Sequence, residues 1–243
     1  MDIPGKRALV TGAAKRVGRE IAIHLAKKGA HILLHYHHSK AEAEKTASEI
    51  RALGRECVLL PGDLNRVADI DDMVRRMEAG AKPVDILVNS ASVFYKTPFC
   101  GVNESDWDTV VNSNLKGPFF LSKRVGCAMA KSAGGKIINI ADWSGVRPYK
   151  DYAPYCVSKG GLLTLTKTLA RDLAPKVQAN SVAPGPVLPP PGMSAEEKES
   201  VTKKTLLGRW GSPMDIAYAT AFLIENDFIN GTVLVVDGGR SIS

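Results

Sequence analysis

From one end of this chain to the other, short aliphatic runs alternate with longer stretches of helical spacing. That alternation restricts the fold more than any other feature. The runs Ala8–Val10, His31–Tyr36, Cys57–Leu60, Asp85–Val88, Lys136–Ile140, Val177–Val182 and Thr232–Val236 read as strands. Helical patterns lie between or after them at Gly18–Lys28, Ala41–Leu53, Asp69–Glu78, Glu104–Ala130, Tyr155–Leu173 and Pro213–Ile224. Near-continuous apolar strands separated by helices form parallel sheets covered on both faces. The pattern predicts an α/β, doubly wound (Rossmann-type), mainly parallel seven-stranded sheet, with its ligand crevice at the carboxyl ends of the strands. No linker or repeat divides the 243 residues, and 44% hydrophobic content supports one core, so residues 1–243 are expected to form a single domain. The Pro/Gly-rich stretch Pro184–Gly192 follows a strand and reads as the start of a mobile substrate loop at about 186–204.

Several function classes recede on composition. No apolar run approaches the roughly 20 residues that cross a bilayer. The segment Met1–Arg7 leads straight into a strand without a secretory apolar region, so a cytoplasmic protein is expected. Cys57, Cys100, Cys127 and Cys156 are scattered without ligand-like spacing and read as reduced structural thiols. The net charge of +7 is spread among acidic residues, with no basic block or aromatic stripe, which argues against nucleic acid. A basic cofactor pocket and acidic small substrates account for it as well.

The first strand runs into Thr11-Gly12-Ala13-Ala14-Lys15-Arg16-Val17-Gly18 and then a helix. Gly12 permits a tight turn, and Gly18 lets the helix pack closely and opens its amino end to a phosphate. A glycine-bearing strand-to-helix turn at the head of an alternating chain points to a dinucleotide site, although Arg16 stands where a middle glycine is expected. The second strand ends in His35-Tyr36-His37-His38-Ser39, without the carboxylate that would grip a ribose 2′-hydroxyl. Lys15, Arg16, His37, His38 and Ser39 offer cationic and hydroxyl donors to a 2′-phosphate, so NADP(H) is favoured over NAD(H). The histidines have no carboxylate or cysteine to complete a ligand set, and no metal is expected.

Tyr155 and Lys159 stand four residues apart, on one face of a predicted helix. A cation beside a phenol lowers its pKa and makes it a usable general acid.

Together these motifs resemble the short-chain dehydrogenase/reductase family over essentially the whole chain. Thr11-Gly12-x-x-x-Arg16-x-Gly18 looks like its cofactor turn and Asp63-Leu64 like its adenine-contacting pair. Asn89-Ser90-Ala91 looks like a variant of its Asn-Asn-Ala-Gly segment, and Asn114-Leu115-x-Gly117 carries its helix asparagine. Pro184-Gly185 resembles its loop beside the nicotinamide, with Val187 just beyond where Thr or Ser is usual, and Asp237-Gly238-Gly239 closes the last strand in the family's manner. The resemblance implies that Tyr155 donates a proton and that Lys159 lowers its pKa and holds the nicotinamide ribose. It implies that Asn114 sustains a proton-relay water, and that the protein is a homotetramer packed through helices of the Glu104–Ala130 and Tyr155–Leu173 type.

One departure bears on the substrate. Thirteen residues before Tyr155 (155 − 13 = 142) the family normally has a serine that donates to a carbonyl, and here it is Asp142. An ionised carboxylate only accepts, which suits a substrate presenting N–H groups; Ser144 is the alternative stand-in. Asp142, Arg16, the His-Tyr-His-x-Ser run and Ser92-Val93-Phe94 are together similar to the pteridine reductase branch, in which the aromatic ring and the nicotinamide sandwich the pterin. The expected function is therefore NADPH-dependent reduction of a dihydropterin or dihydrofolate at a site of Ser92, Phe94, Asp142 and Tyr155. The alternative is a carbonyl reductase of a 3-oxoacyl thioester, a sugar or a small ketone. A non-catalytic redox sensor has no need of the proton donor that Asn114, Tyr155 and Lys159 supply.

Overall fold

The computed structural model describes residues 1–78, 82–190 and 192–243. Seven strands, β1 (Arg7–Val10), β2 (His31–Tyr36), β3 (Cys57–Pro61), β4 (Ile86–Asn89), β5 (Gly135–Ile140), β6 (Val177–Pro184) and β7 (Val233–Val236), form one sheet in the order β3-β2-β1-β4-β5-β6-β7. Every neighbouring pair is parallel. Successive strand residues point to opposite faces, and the chain uses both. Ala8, Val10, Ile32, Leu34, Ile86 and Val88 pack under α1 (Arg16–Lys27), α2 (Lys40–Ala52) and α8 (Pro213–Glu225). Leu9, Leu33, Leu87 and Ile137 pack under α3 (Val67–Glu78), α5 (Gly117–Ala130) and α6 (Ala153–Asp172). Strand order reverses direction between β1 and β4, so the crevice opens beyond Val10, Asn89 and Ile140.

The helices depart from the sequence reading in two places. The stretch Glu104–Ala130 is not one helix but α4 (Glu104–Val111), a π-turn at Asn112–Lys116, and α5. Pro118 is the cause: it has no N–H to donate to the Asn114 carbonyl, so an α-ladder cannot run through. The region expected to be all loop, 186–204, contains a further helix, α7 (Ala195–Lys203). Its start is fixed by a capping box in which Ser194 and Glu197 bond each other's backbone N–H. Its weak apolar patterning hides it from a reading based on periodicity, and Pro191 lies outside the described residues. No helix among the described residues is long and apolar enough to cross a membrane.

Candidate active site

The cofactor end is shaped by close backbone approaches. Gly12 has φ +64°, and a Cβ there would lie 2.8 Å from the Ala91 Cα. A Cβ on Gly18 would lie 2.5 Å from the Gly12 carbonyl oxygen. Thr11 Oγ1 accepts from the backbone N–H groups of Ser90 (2.9 Å) and Ala91 (3.0 Å), which ties the end of β1 to the end of β4. The first turn of α1 has no side-chain cap and no acidic residue, so its N–H groups and dipole suit an anion. These are the features a pyrophosphate requires, and the residues fit a dinucleotide.

Around that turn the cationic candidates stand at the surface. Lys15, Arg16, His37 and His38 are exposed, and the two histidine rings lie 3.5 Å apart. Arg16 adopts φ +57°, the left-handed conformation a glycine would take, and its guanidinium donates to Leu188 O (3.5 Å) and Pro189 O (3.4 Å). It therefore bridges the cofactor turn to the loop after β6. Ser39 precedes α2 without a side-chain cap. Asp63 Oδ1 accepts from Asn65 N (2.9 Å), while the Leu64 side chain is in the core, leaving its backbone as the available contact. Gly185 is held by its N–H to Val236 O (2.9 Å), and Val17 and Val187 are half-buried.

Asn89, expected among the cofactor contacts, has a buried side chain. Its side chain turns into the core, donating to Ser122 Oγ (2.9 Å) and Asn139 Oδ1 (2.8 Å), and Asn139 passes the chain on to Thr166. It braces β4 against β5, α5 and α6 instead of facing the cleft. His35 was named only as part of the strand end, yet it is buried and bonds the cofactor turn directly.

At the substrate end, Pro154 sits in the first turn of α6 and sets the helix going one residue before Tyr155. Tyr155 and Lys159 then fall one turn apart on the buried face, 7% and 2% exposed. Asp142 follows β5 and caps a short 3₁₀ turn, its Oδ1 accepting from Ser144 N at 2.7 Å. Its Oδ2 accepts from the Tyr155 hydroxyl at 3.0 Å, and its Oδ1 from the Tyr149 hydroxyl at 3.2 Å. Lys159 Nζ donates to Ile140 O (2.9 Å) and lies 5.5 Å from the centre of the Tyr155 ring. Asn114 is fully buried; its amide bonds both backbone groups of Val93 (2.7 and 2.9 Å) and donates to Ser158 Oγ (3.2 Å). It clamps the Ser92–Phe94 segment to α6.

The net shift of the Tyr155 phenol is upward. Burial, and then the Asp142 carboxylate that accepts its proton, hold the Tyr155 phenol well above its ordinary value. The Tyr149 phenol is raised by the same two causes. Burial pushes Lys159 down to about 8, with the Asp142 charge opposing the shift. At neutral pH Tyr155 therefore holds its proton and Lys159 its charge.

The Ser144 side chain is fully buried, and its N–H donates to Asp142 Oδ1. Ser92 is exposed at the rim. Phe94, 39% exposed, stacks on Tyr152 with ring centres 4.6 Å apart and planes 9° from parallel, and meets the Tyr155 ring edge-on at 4.7 Å. Tyr149 and Tyr152 were missed in the sequence; the only signal was two further tyrosines within six residues of Tyr155. All four cysteines are free thiols, and Cys156 accepts a bond from Tyr149 N (3.3 Å). Among the described residues no group of three His, Cys, Asp or Glu side chains is arranged to hold a metal.

This geometry agrees with what the chain is similar to. A family model described as "Enoyl-(Acyl carrier protein) reductase" matches residues 12–241. The 3-oxoacyl-(acyl-carrier-protein) reductase FabG of Staphylococcus epidermidis is 34% identical over 239 residues, 96% of this chain and 98% of that protein. The 5-keto-D-gluconate 5-reductase of Escherichia coli is 32% identical, over 100% of this chain and 98% of its own. Among solved structures, a gluconate 5-dehydrogenase from Burkholderia cenocepacia in complex with NADP and tartrate superposes with a TM-score of 0.92 at 31% identity, covering 99% of this chain and 96% of that one. These relatives are named for oxoacyl and gluconate-type substrates and not for pterins. The chain belongs to the short-chain dehydrogenase/reductase family of oxidoreductases.

Proposed function

We propose that the protein is an NADP(H)-dependent carbonyl reductase that acts on a small polar substrate such as a 3-oxoacyl thioester or a keto-sugar acid. The observation that carries this reading is the Tyr155 hydroxyl, buried and donating to Asp142 at 3.0 Å. A protonated phenol can supply the proton that a carbonyl oxygen gains on reduction, with the Lys159 ammonium offsetting the rise in its pKa. The named relatives support the carbonyl, and the uncapped first turn of α1 with Lys15, Arg16, His37 and His38 nearby supports the dinucleotide and its 2′-phosphate.

NADP(H), when bound, supplies the hydride. The protein's residues orient the carbonyl and move the proton. Tyr155 Oη gives its proton to the oxygen as negative charge develops there, and the Lys159 ammonium stabilises the phenolate left behind. Asp142 accepts but cannot donate, so the family serine's hydrogen bond to the carbonyl falls to another group. The Tyr149 hydroxyl, on the other oxygen of the same carboxylate, is the donor at hand. Asn114 keeps the Val93–Phe94 wall fixed against α6.

A second reading, reduction of a dihydropterin or dihydrofolate, is favoured by Asp142 itself, whose carboxylate would pair with ring N–H groups, and by the flat Phe94–Tyr152 stack. Oxidation of NADPH with an acetoacetyl thioester, 5-ketogluconate and dihydrobiopterin, each repeated with NADH, separates the two. Turnover of either carbonyl, with NADPH preferred, supports the first reading. Turnover of dihydrobiopterin alone would replace it with the second, and Asp142→Ser should then abolish that activity. By family resemblance the protein works in the cytoplasm as a homotetramer with residues 1–243 as one domain, and its mass in solution checks the assembly.

A further inference from the structure

His35 stands at the end of β2, 2% exposed, between the two loops that flank the candidate dinucleotide site. Gly12 N, in the β1–α1 turn, lies 3.2 Å from His35 Nδ1, and Gly62 O, just past β3, lies 3.1 Å from Nε2. A backbone N–H only donates and a carbonyl only accepts, so one form of the ring satisfies both: neutral, with Nδ1 bare and the proton on Nε2. The main chain adds two more ties, Ala13 N to His35 O (3.0 Å) and Gly62 N to Tyr36 O (3.1 Å). The residue after Gly62 is Asp63, and Gly12 is the glycine whose left-handed backbone rests against Ala91.

We propose that His35 is a positioning residue for the dinucleotide, its Nε2–H ring spanning the two loops and fixing the separation between the phosphate-facing turn and the Asp63–Leu64 loop. The inference rests on the cofactor part of the proposed function, not on the choice of substrate. A surface histidine would titrate near 6.5. Burial takes His35 down to about 4, the charge of His37 pushes the same way, and the Gly62 carbonyl and the Asp63 carboxylate oppose it. The bridge therefore persists at every pH at which the enzyme is expected to work.

Two substitutions divide the ring's two jobs. In His35→Asn the amide oxygen reaches the place of Nδ1 and still accepts from Gly12 N; in His35→Gln the amide reaches the place of Nε2 and serves Gly62 O instead. Each variant keeps one tie and cuts the other, so NADPH binding, followed by nicotinamide fluorescence, is expected to weaken about tenfold in both H35N and H35Q. Affinity within about threefold of wild type in either variant would overturn the proposal. Nitrogen NMR of the unsubstituted protein is independent of variant folding and should show one neutral Nε2–H form from pH 8 to 5. A proton on Nδ1, or a titration near 6.5, contradicts the bridge. Failure of the wild-type protein to bind NADPH at all would count against the cofactor reading, whereas wild-type-like binding in H35N and H35Q counts against His35.

Discussion

The two ends of the crevice are built on opposite principles. The cofactor end is closed: Thr11 Oγ1 takes two N–H groups, His35 uses both ring nitrogens, and Gly12 and Gly18 are pressed against backbone. The substrate end keeps charges poised. Lys159 is buried with the Ile140 carbonyl as its one hydrogen-bond partner among the described residues, and one carboxylate, Asp142, accepts hydrogen bonds from two phenols. On the proposed reading the difference separates two functions: rigidity to hold the dinucleotide, and unrelieved electrostatics to move a proton.

Substitutions at the two ends should therefore fail in different currencies. Tyr155→Phe removes the acid and should lower kcat by about 10²–10⁴-fold while leaving NADPH affinity nearly unchanged. Gly18→Ala forces a Cβ toward the Gly12 carbonyl at about 1–3 kcal/mol. The NADPH dissociation constant should then rise about 5- to 150-fold, with kcat at saturating NADPH retained. If Gly18→Ala chiefly lowered kcat, the division of labour between the ends would break down. Tyr149→Phe deletes one bond to a charged acceptor and should cost about tenfold in kcat/KM for a carbonyl substrate. An undiminished kcat/KM would remove Tyr149 from the site.

The smallest effect expected is in stability and has the opposite sign to the loss of activity. Lys159→Met exchanges a buried ammonium for an apolar chain and should stabilise the fold by about 1–3 kcal/mol while turnover falls. The sign follows from linkage. In the folded protein Lys159 loses its proton at about 8 rather than at 10.5. The unfolded chain therefore binds more protons between those values, and wild-type stability rises with pH across that window. Thermal melts at pH 7 and 10 should show K159M gaining on wild type at pH 7 and less at pH 10. Equal gains at both would mean that the ammonium carries no burial penalty.

How far each end could be read from the sequence follows from the same contrast. The cofactor turn was legible because a left-handed or crowded backbone needs glycine locally, and Gly12 and Gly18 declare it. Strands were legible because both faces are buried, so Leu9 and Val10 are apolar alike. The division of α4 from α5 was signalled by Pro118, but apolar spacing runs through it and masks the π-turn. At the substrate end Phe94 was legible, whereas Tyr149 and Tyr152 carry no motif, and the fold is what brings their rings to Phe94. The core contacts of the Asn89 side chain were not legible because an asparagine at a strand end looks the same whether its amide faces the cleft or the core. The upward net shift of Tyr155 was not legible because its largest causes, burial and Asp142, are tertiary.

The central claim is that Asp142 keeps the Tyr155 proton in place for delivery. Titration of ring-labelled tyrosine by carbon NMR, in wild type and Asp142→Asn, tests it without any substrate. The account predicts that wild-type Tyr155 stays protonated past the pH at which a free phenol ionises, and that D142N ionises at lower pH than wild type. A wild-type Tyr155 that ionises below the ordinary phenol value, or that is unmoved by D142N, would contradict it.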